Sequence, residues 1–254
     1  MVTQRRALVI GGSMSGLLAG IMLMRRGWAV DIYERVASEL SGRGAGIVAQ
    51  AELIARLDAL GLNTRDLGVA MTTRQILDRE GRIAATIACP QVLTAWERVY
   101  RVLRDAFPPE FYHRGIGLVG FAQDAQRVRA QLSDGRTLEA DVLIGADGLR
   151  STVRQQCAPE VAPLYAGYVA WRSLLAERDF PPEIHRALFE LMTFCLPPGE
   201  QFPAIRSRAP KTICALATAA TISCGTVRPQ RRPNSRGSLP TRAARHIRYR
   251  FRRR

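Results

Sequence analysis

Ala7-Leu8-Val9-Ile10-Gly11-Gly12-Ser13-Met14-Ser15-Gly16 is the stretch on which the fold reading turns. Four apolar residues running into a glycine pair have the character of a strand buried on both faces of a parallel sheet. From Ser13 to Arg26 the chain is rich in Leu, Met and Ala, closes on two arginines and meets Gly27, which predicts a helix of three to four turns. Ala29-Val30-Asp31-Ile32-Tyr33 then predicts a second strand ending at Glu34, so the three segments make a compact βαβ unit.

That unit has the local form of a dinucleotide site. Glycines permit the tight turn and let the backbone approach a pyrophosphate, while the helix start offers free N–H groups and partial positive charge. The candidate binding residues are Gly11, Gly12, Ser13, Met14, Ser15 and Gly16, with Glu34 and its neighbour Arg35 at the end of the second strand. Glu34 lies eighteen residues after Gly16, the distance at which a carboxylate accepts hydrogen bonds from a ribose diol. The usual middle glycine of the fingerprint is Ser13 here. A carboxylate favours a ribose without a 2′-phosphate, which leaves NAD and FAD both open at this point.

A second motif follows the apolar run Val142-Leu143-Ile144: Gly145-Ala146-Asp147-Gly148-Leu149-Arg150-Ser151-Thr152-Val153-Arg154. Its Asp-Gly-x-x-Ser-x-x-Arg pattern resembles the Asp-Gly motif of the FAD-dependent aromatic-ring monooxygenases. Gly42-Arg43-Gly44-Ala45-Gly46-Ile47 resembles the stretch of that family that runs along the flavin, in particular its 2,6-dihydroxypyridine hydroxylase-like branch. Tyr165-Ala-Gly-Tyr168-Val-Ala-Trp171-Arg172 also recurs in that branch. The resemblance spans residues 5–202. It implies FAD as cofactor, NADH or NADPH as co-substrate, and transfer of one oxygen from O2 to a small electron-rich aromatic or hydroxypyridine ring. It also assigns Asp147, Gly148 and Arg154, together with Arg43, Gly44, Ala45 and Gly46, to cofactor binding, and Arg172 to the substrate side. Where many relatives place a flavin-contacting arginine this chain has Trp96, and that role is not transferred to Arg98.

The implied fold class is α/β: a Rossmann-like FAD-binding domain interleaved with a smaller, mainly β substrate domain that is incomplete at the C-terminus. Residues 1–71 and 96–158 are expected to form the former, and 72–95 with 159–202 the latter. Apolar spacing predicts helices over Glu52 to Leu60 and Leu93 to Phe107. Leu118 to Phe121, Val128 to Leu132 and Thr137 to Ala140 read as an antiparallel ribbon, and the aromatic stretch from Tyr165 to Arg172 as a strand of a different layer. Ser151 is expected to cap the turn after Asp147. His113 and His185 fall in no constellation and read as surface or loop positions.

The formal charge of +15 is concentrated at one end. Residues 201–254 hold fourteen Lys or Arg and no acid, leaving 23 basic against 22 acidic residues before them. Without acids or apolar period, 203–254 reads as a basic, disordered tail outside the family. The family closes its flavin site with a Gly-Asp pair and Pro-x-x-Gly-x-Gly, and the tail carries neither. One account is translation out of frame. Hidden codons that begin at each visible wobble base permit, across Pro203 to Arg228, a text opening Gly-Tyr-Pro-Val-Ala-Gly-Pro and closing Tyr-Asn-Phe-Val-Trp-Tyr-Arg-Pro, which resembles the family's next segment. Sequencing that finds no inserted or deleted base near the Phe202 codon, relative to close relatives, would overturn it. On this reading the chain is expected to bind FAD weakly and turn over little.

Five cysteines without Cys-x-x-Cys spacing indicate neither a disulfide framework nor a zinc site, and with no metal implied a reducing cytoplasm fits best. No apolar run is long enough to cross a membrane. A homodimer is among the assemblies compatible with this reading. The rival readings are an NAD-dependent dehydrogenase, which Glu34 permits, and a protein binding nucleic acid nonspecifically through its tail cations.

Overall fold

The computed structural model describes residues 4–41, 46–165, 169–176, 179–189, 191–198, 200–206 and 219–227, with side chains described for all but 169–176, 206 and 219–227. Arg43, Gly44 and Ala45 lie outside the described residues.

The chain opens with β1 (Arg6–Ile10), α1 (Met14–Met24) and β2 (Ala29–Glu34), the predicted βαβ unit. It continues through β3 (Gly46–Ala49), α2 (Ala51–Ala59), β4 (Val69–Leu77), β5 (Ile83–Ala95) and α3 (Trp96–Ala106). The short strand β6 (Tyr112–Arg114) precedes the ribbon β7 (Leu118–Gln123), β8 (Val128–Leu132) and β9 (Thr137–Ala140). Then come β10 (Val142–Gly145), α4 (Thr152–Cys157), β11 (Val169–Ala176), α5 (Pro182–Phe189), β12 (Met192–Cys195), β13 (Phe202–Arg206) and β14 (Ala219–Val227).

The first sheet is parallel, in the order β10-β1-β2-β6. Its inner strand β1 is apolar from Ala7 to Ile10 because both faces are covered. Ala7 and Val9 pack with Leu17 and Ile21 of α1 and Val99 and Leu103 of α3. Leu8 and Ile10 pack on the other side against Val128, Ala130 and Leu132 of the three-stranded ribbon. Successive side chains of a strand point to opposite faces, so one run of four residues serves two cores. Burying each Leu or Val there contributes on the order of 1.5–3 kcal/mol.

The second sheet has seven strands in the order β11-β14-β13-β12-β4-β5-β3, antiparallel except where β12 runs parallel to β4. The structure departs from the sequence reading in four places. Leu93, Thr94 and Ala95 finish β5 instead of opening α3. Leu93 pairs with Val48 and Val69, and the buried Thr94 hydroxyl donates to the Leu67 carbonyl. The apolar spacing simply continues across a strand-to-helix junction. Tyr165 lies outside any strand, residues 166–168 lie outside the described residues, and the strand is described over Val169–Ala176.

The boundary drawn at 71 falls inside β4, and Gly46–Ala49 is the edge strand of the second sheet, paired antiparallel with β5. Finally, the stretch expected to be disordered contributes two strands: β13 pairs with β12, and β14 with both β11 and β13. Net charge and missing helical period do not exclude a strand there, because ladder bonds come from the backbone and Thr221, Ile222, Thr226 and Val227 favour extended structure. Residues 228–254 lie outside the described residues.

Candidate functional site

The turn from β1 into α1 is set by two close approaches. Gly11 has φ 106° and donates its N–H to the Tyr33 carbonyl at 2.8 Å. A Cβ on Gly11 would stand 2.2 Å from the Ala146 carbonyl oxygen, so the turn and the end of β10 are pressed together. A Cβ on Gly16 would come within 1.9 Å of the Gly11 carbonyl oxygen, which locks the first turn of α1 onto the loop. Ser13 occupies the N-cap in extended geometry but its side chain makes no capping hydrogen bond, and the first helical turn contains no acid. The positive end of α1 is therefore left free for an external anion.

Glu34 is buried, 7% exposed, at the end of β2. One carboxylate oxygen accepts from the Gly12 N–H at 2.8 Å and the other from the Val36 N–H at 2.9 Å. A carboxylate has about four acceptor sites, so two bonds fix its position without exhausting it. Tyr112 of β6 braces the same turn from behind, its hydroxyl donating to the Gly12 carbonyl at 2.8 Å. Burial pushes the Tyr112 phenol above its ordinary pKa and keeps it a proton donor. We expect Tyr112→Phe to remove about 0.5–1.5 kcal/mol of stability. That should lower the melting temperature by about 2–4 °C for each kcal/mol lost; an unchanged melting curve would show that the hydroxyl does not hold the turn.

Across the cleft, Asp147 is turned toward the start of α4. Its carboxylate accepts from the Ser151 hydroxyl at 2.6 Å and the Thr152 N–H at 2.7 Å. Ser151 is the N-cap, its hydroxyl oxygen accepting from the Arg154 N–H at 2.8 Å. The Arg154 guanidinium returns to the Leu149 carbonyl at 2.6 Å and so clamps the loop that carries Gly148.

Gly11, Ser13, Glu34, Arg35, Asp147 and Gly148 line one cleft of about 250 Å³. Of the other sequence candidates, Gly12, Met14, Ser15 and Gly16 build the turn behind it, Arg154 braces its rim, and Gly46 opens β3 in the second sheet. Arg35 is exposed and reaches toward the Arg150 carbonyl at 3.4 Å. Of Arg172 the backbone is described, within β11.

Several lining residues were not singled out from sequence for this role: Tyr33, Val36, Leu40, Leu118 and Thr152. They come from separate segments, and no spacing announces their meeting. Trp96 also lines the cleft, stacked on Tyr100 at 5.0 Å, whereas Arg98 is engaged by the Asp66 carbonyl at 2.6 Å. His113, read as a surface or loop position, lies in β6, bonds Asp31 at 2.9 Å and stacks on Tyr33.

The arrangement fits an adenine dinucleotide. A cradle closed to any side chain at Gly11, an open helix terminus and a fixed carboxylate at the neighbouring strand end are the donors and acceptors that a pyrophosphate and a ribose diol require. Among the described residues no group of three or more His, Cys, Asp or Glu is placed to hold a metal ion. No helix among them is long and apolar enough to cross a membrane.

Comparison with known proteins bears on which dinucleotide. The family described as "FAD binding domain" matches residues 4–218, beyond the composition break at Phe202. The 2,6-dihydroxypyridine 3-monooxygenase of Paenarthrobacter nicotinovorans is 36% identical over 195 residues, covering 76% of this chain and 49% of that protein. The solved structure of 2,6-dihydroxypyridine-3-hydroxylase from Arthrobacter nicotinovorans superimposes with a TM-score of 0.83 at 31% identity, over 91% of this chain and 58% of that one. Klebsiella pneumoniae HpxO, solved with FAD and uric acid, shares the fold at a TM-score of 0.73 and 20% identity, over 95% of this chain and 58% of that one. The chain spans about half the length of the curated relatives it matches.

Proposed function

Because the chain belongs to the FAD binding domain family, we propose that its cleft holds FAD for a monooxygenase that hydroxylates an electron-rich aromatic or hydroxypyridine ring with NADH or NADPH and O2. The observation that carries this is the single cleft in which the Gly11–Ser13 turn, Glu34 and the Asp147-Gly148 loop meet. The similarity to a 2,6-dihydroxypyridine 3-monooxygenase supports the ring class.

In this reading the α1 terminus, from Gly11 to Gly16, receives the pyrophosphate and Glu34 the adenosine ribose, with Arg35 at the rim. Asp147 and Gly148, steadied by Arg154, face the flavin side, and Arg43, Gly44, Ala45 and Gly46 run along it. Arg172 stands on the substrate side. The first sheet with its helices and ribbon acts as the cofactor unit and the seven-stranded second sheet as the substrate unit, Gly46–Ala49 bridging into the second sheet. Bound FAD supplies the redox chemistry, passing electrons from the nicotinamide to O2 for oxygen transfer to the ring. The protein's part is to fix the dinucleotide, exclude water with the apolar wall of Trp96, Leu40 and Leu118, and present the ring.

A nicotinamide dehydrogenase would use the same Gly turn and carboxylate, so the test is a competition. We expect purified chain to bind FAD saturably, NAD⁺ at equal concentration not to displace it, and 2,6-dihydroxypyridine to perturb the flavin absorption band. The flavin left after dialysis measures how tightly it is held. Displacement of FAD by NAD⁺ would favour the dehydrogenase reading instead.

A further inference from the structure

A second cavity, of about 510 Å³, lies over β3, β4, β5 and the start of α2, and shares no residue with the dinucleotide cleft. Val48, Met71, Pro90 and Val92 give it apolar walls. Its basic group is Arg74. Alternation along β4 sets the direction: Gln75 points to the α5 side, where its amide donates to the Ala187 carbonyl and the Thr193 hydroxyl, so Arg74 points to the opposite face.

Among the described residues Arg74 has no counter-ion. Its guanidinium donates to the Gln91 amide oxygen at 2.6 Å and lies over the Phe194 ring at 5.9 Å. Gln91 is fixed in turn by its own amide donating to Met192 Sδ at 3.0 Å. The Arg74 Nε is buried with no hydrogen-bond partner, and no carboxylate among the described residues forms an ion pair with this side chain. Glu52, the one acid on the cavity wall, is exposed at the start of α2. An arginine that lines a cavity with only a neutral hydrogen-bond partner brings its charge there uncompensated, and its remaining terminal N–H groups suit an oxyanion.

We propose that this cavity is the ring subsite of the monooxygenase reading, and that Arg74, oriented by Gln91, binds the acidic oxygen of a monoanionic aromatic ring, a carboxylate or a ring oxyanion. The inference rests on that reading for the identity of the ligand as substrate, while the anion site itself rests on Arg74. It differs from an anchor at Arg172. Four strand spacings separate β11 from β4 in the sheet, roughly 19 Å between backbones at about 4.8 Å per strand, so Arg74 is a position distinct from Arg172.

The test uses the whole chain and a matched pair of probes at pH 7.5, 3-hydroxybenzoate and its neutral amide, 3-hydroxybenzamide, followed by calorimetric titration. Wild type should prefer the anion by about tenfold or more. Arg74→Met should erase that preference. Gln91→Glu should erase it too while leaving the melting temperature unlowered, because an internal carboxylate takes the place of the ligand's; this variant keeps the test decisive if Arg74→Met fails to fold. Equal binding of the two probes by wild type, no binding of either at millimolar concentration, or an anion preference that survives in a folded Arg74 or Gln91 variant each overturns the proposal. FAD binding is measured separately in the same samples. Anion preference without FAD binding would leave the Arg74 site standing and defeat the monooxygenase reading, and the converse would defeat only the Arg74 site.

Discussion

Gly11→Ala is expected to destabilise the cofactor cleft severely. The residue sits at φ 106°, where an L side chain is strained, and the new Cβ would fall 2.2 Å from the Ala146 oxygen, 2.4 Å from its carbonyl carbon and 2.8 Å from the Asp147 nitrogen. All three are backbone atoms. Ala146 is not free to retreat, because its N–H donates to the Ile10 carbonyl at 2.7 Å and continues the pairing of β10 with β1. Backbone strain of about 1–3 kcal/mol and overpacking of about the same size together remove about 2–6 kcal/mol. A domain of this size holds only about 5–15 kcal/mol in total. The melting temperature should fall by about 4–24 °C at a slope of about 2–4 °C per kcal/mol, and FAD affinity by at least about tenfold. A variant that melts with wild type would mean that β1 and β10 do not meet as described.

Glu34→Gln has the second large expected effect, and it separates structure from ligand. In wild type each carboxylate oxygen accepts one backbone N–H, from Gly12 and from Val36. An amide keeps one acceptor and turns an NH₂ group toward the other N–H, so one buried donor loses its partner. Bonds to a charged acceptor contribute about 1.5–3 kcal/mol each, which sets the loss of stability at about 2–3 kcal/mol. The same carboxylate is assigned to the adenosine ribose, and losing charge-assisted bonds to a diol should weaken FAD by about a hundredfold. FMN lacks that ribose. Its affinity should be nearly the same in both proteins, and an equal loss for FAD and FMN would show that Glu34 acts only through the fold.

Much of the architecture was legible in the sequence because β1 is buried on both faces. Ala7 to Ile10 had to be continuously apolar, and the glycine turn and helix then followed by spacing alone. The Asp147 loop was equally legible, since Ser151 caps α4 through a local hydrogen bond that needs no distant partner. The parts that were not legible depend on distant strands. Leu93 to Ala95 carry a helix-like apolar period yet lie in β5, because pairing with β3 and β4 outweighs local preference. The strands at 202–206 and 219–227 were hidden behind a composition dominated by arginine. Tyr112 meets the Gly turn only through the packing of β6, and Arg74 was invisible as a candidate because its significance is a missing partner.

The central claim is that the cleft between the Gly11 turn, Glu34 and the Asp147 loop binds FAD, and a titration of FAD followed by quenching of flavin fluorescence tests it most directly. Wild type, Gly11→Ala and Glu34→Gln should be measured side by side at a temperature where all three are folded. The account predicts saturable, one-to-one binding by wild type and a large loss in both variants. Absence of saturable binding by folded wild-type chain, or folded variants that bind FAD as wild type does, would contradict it.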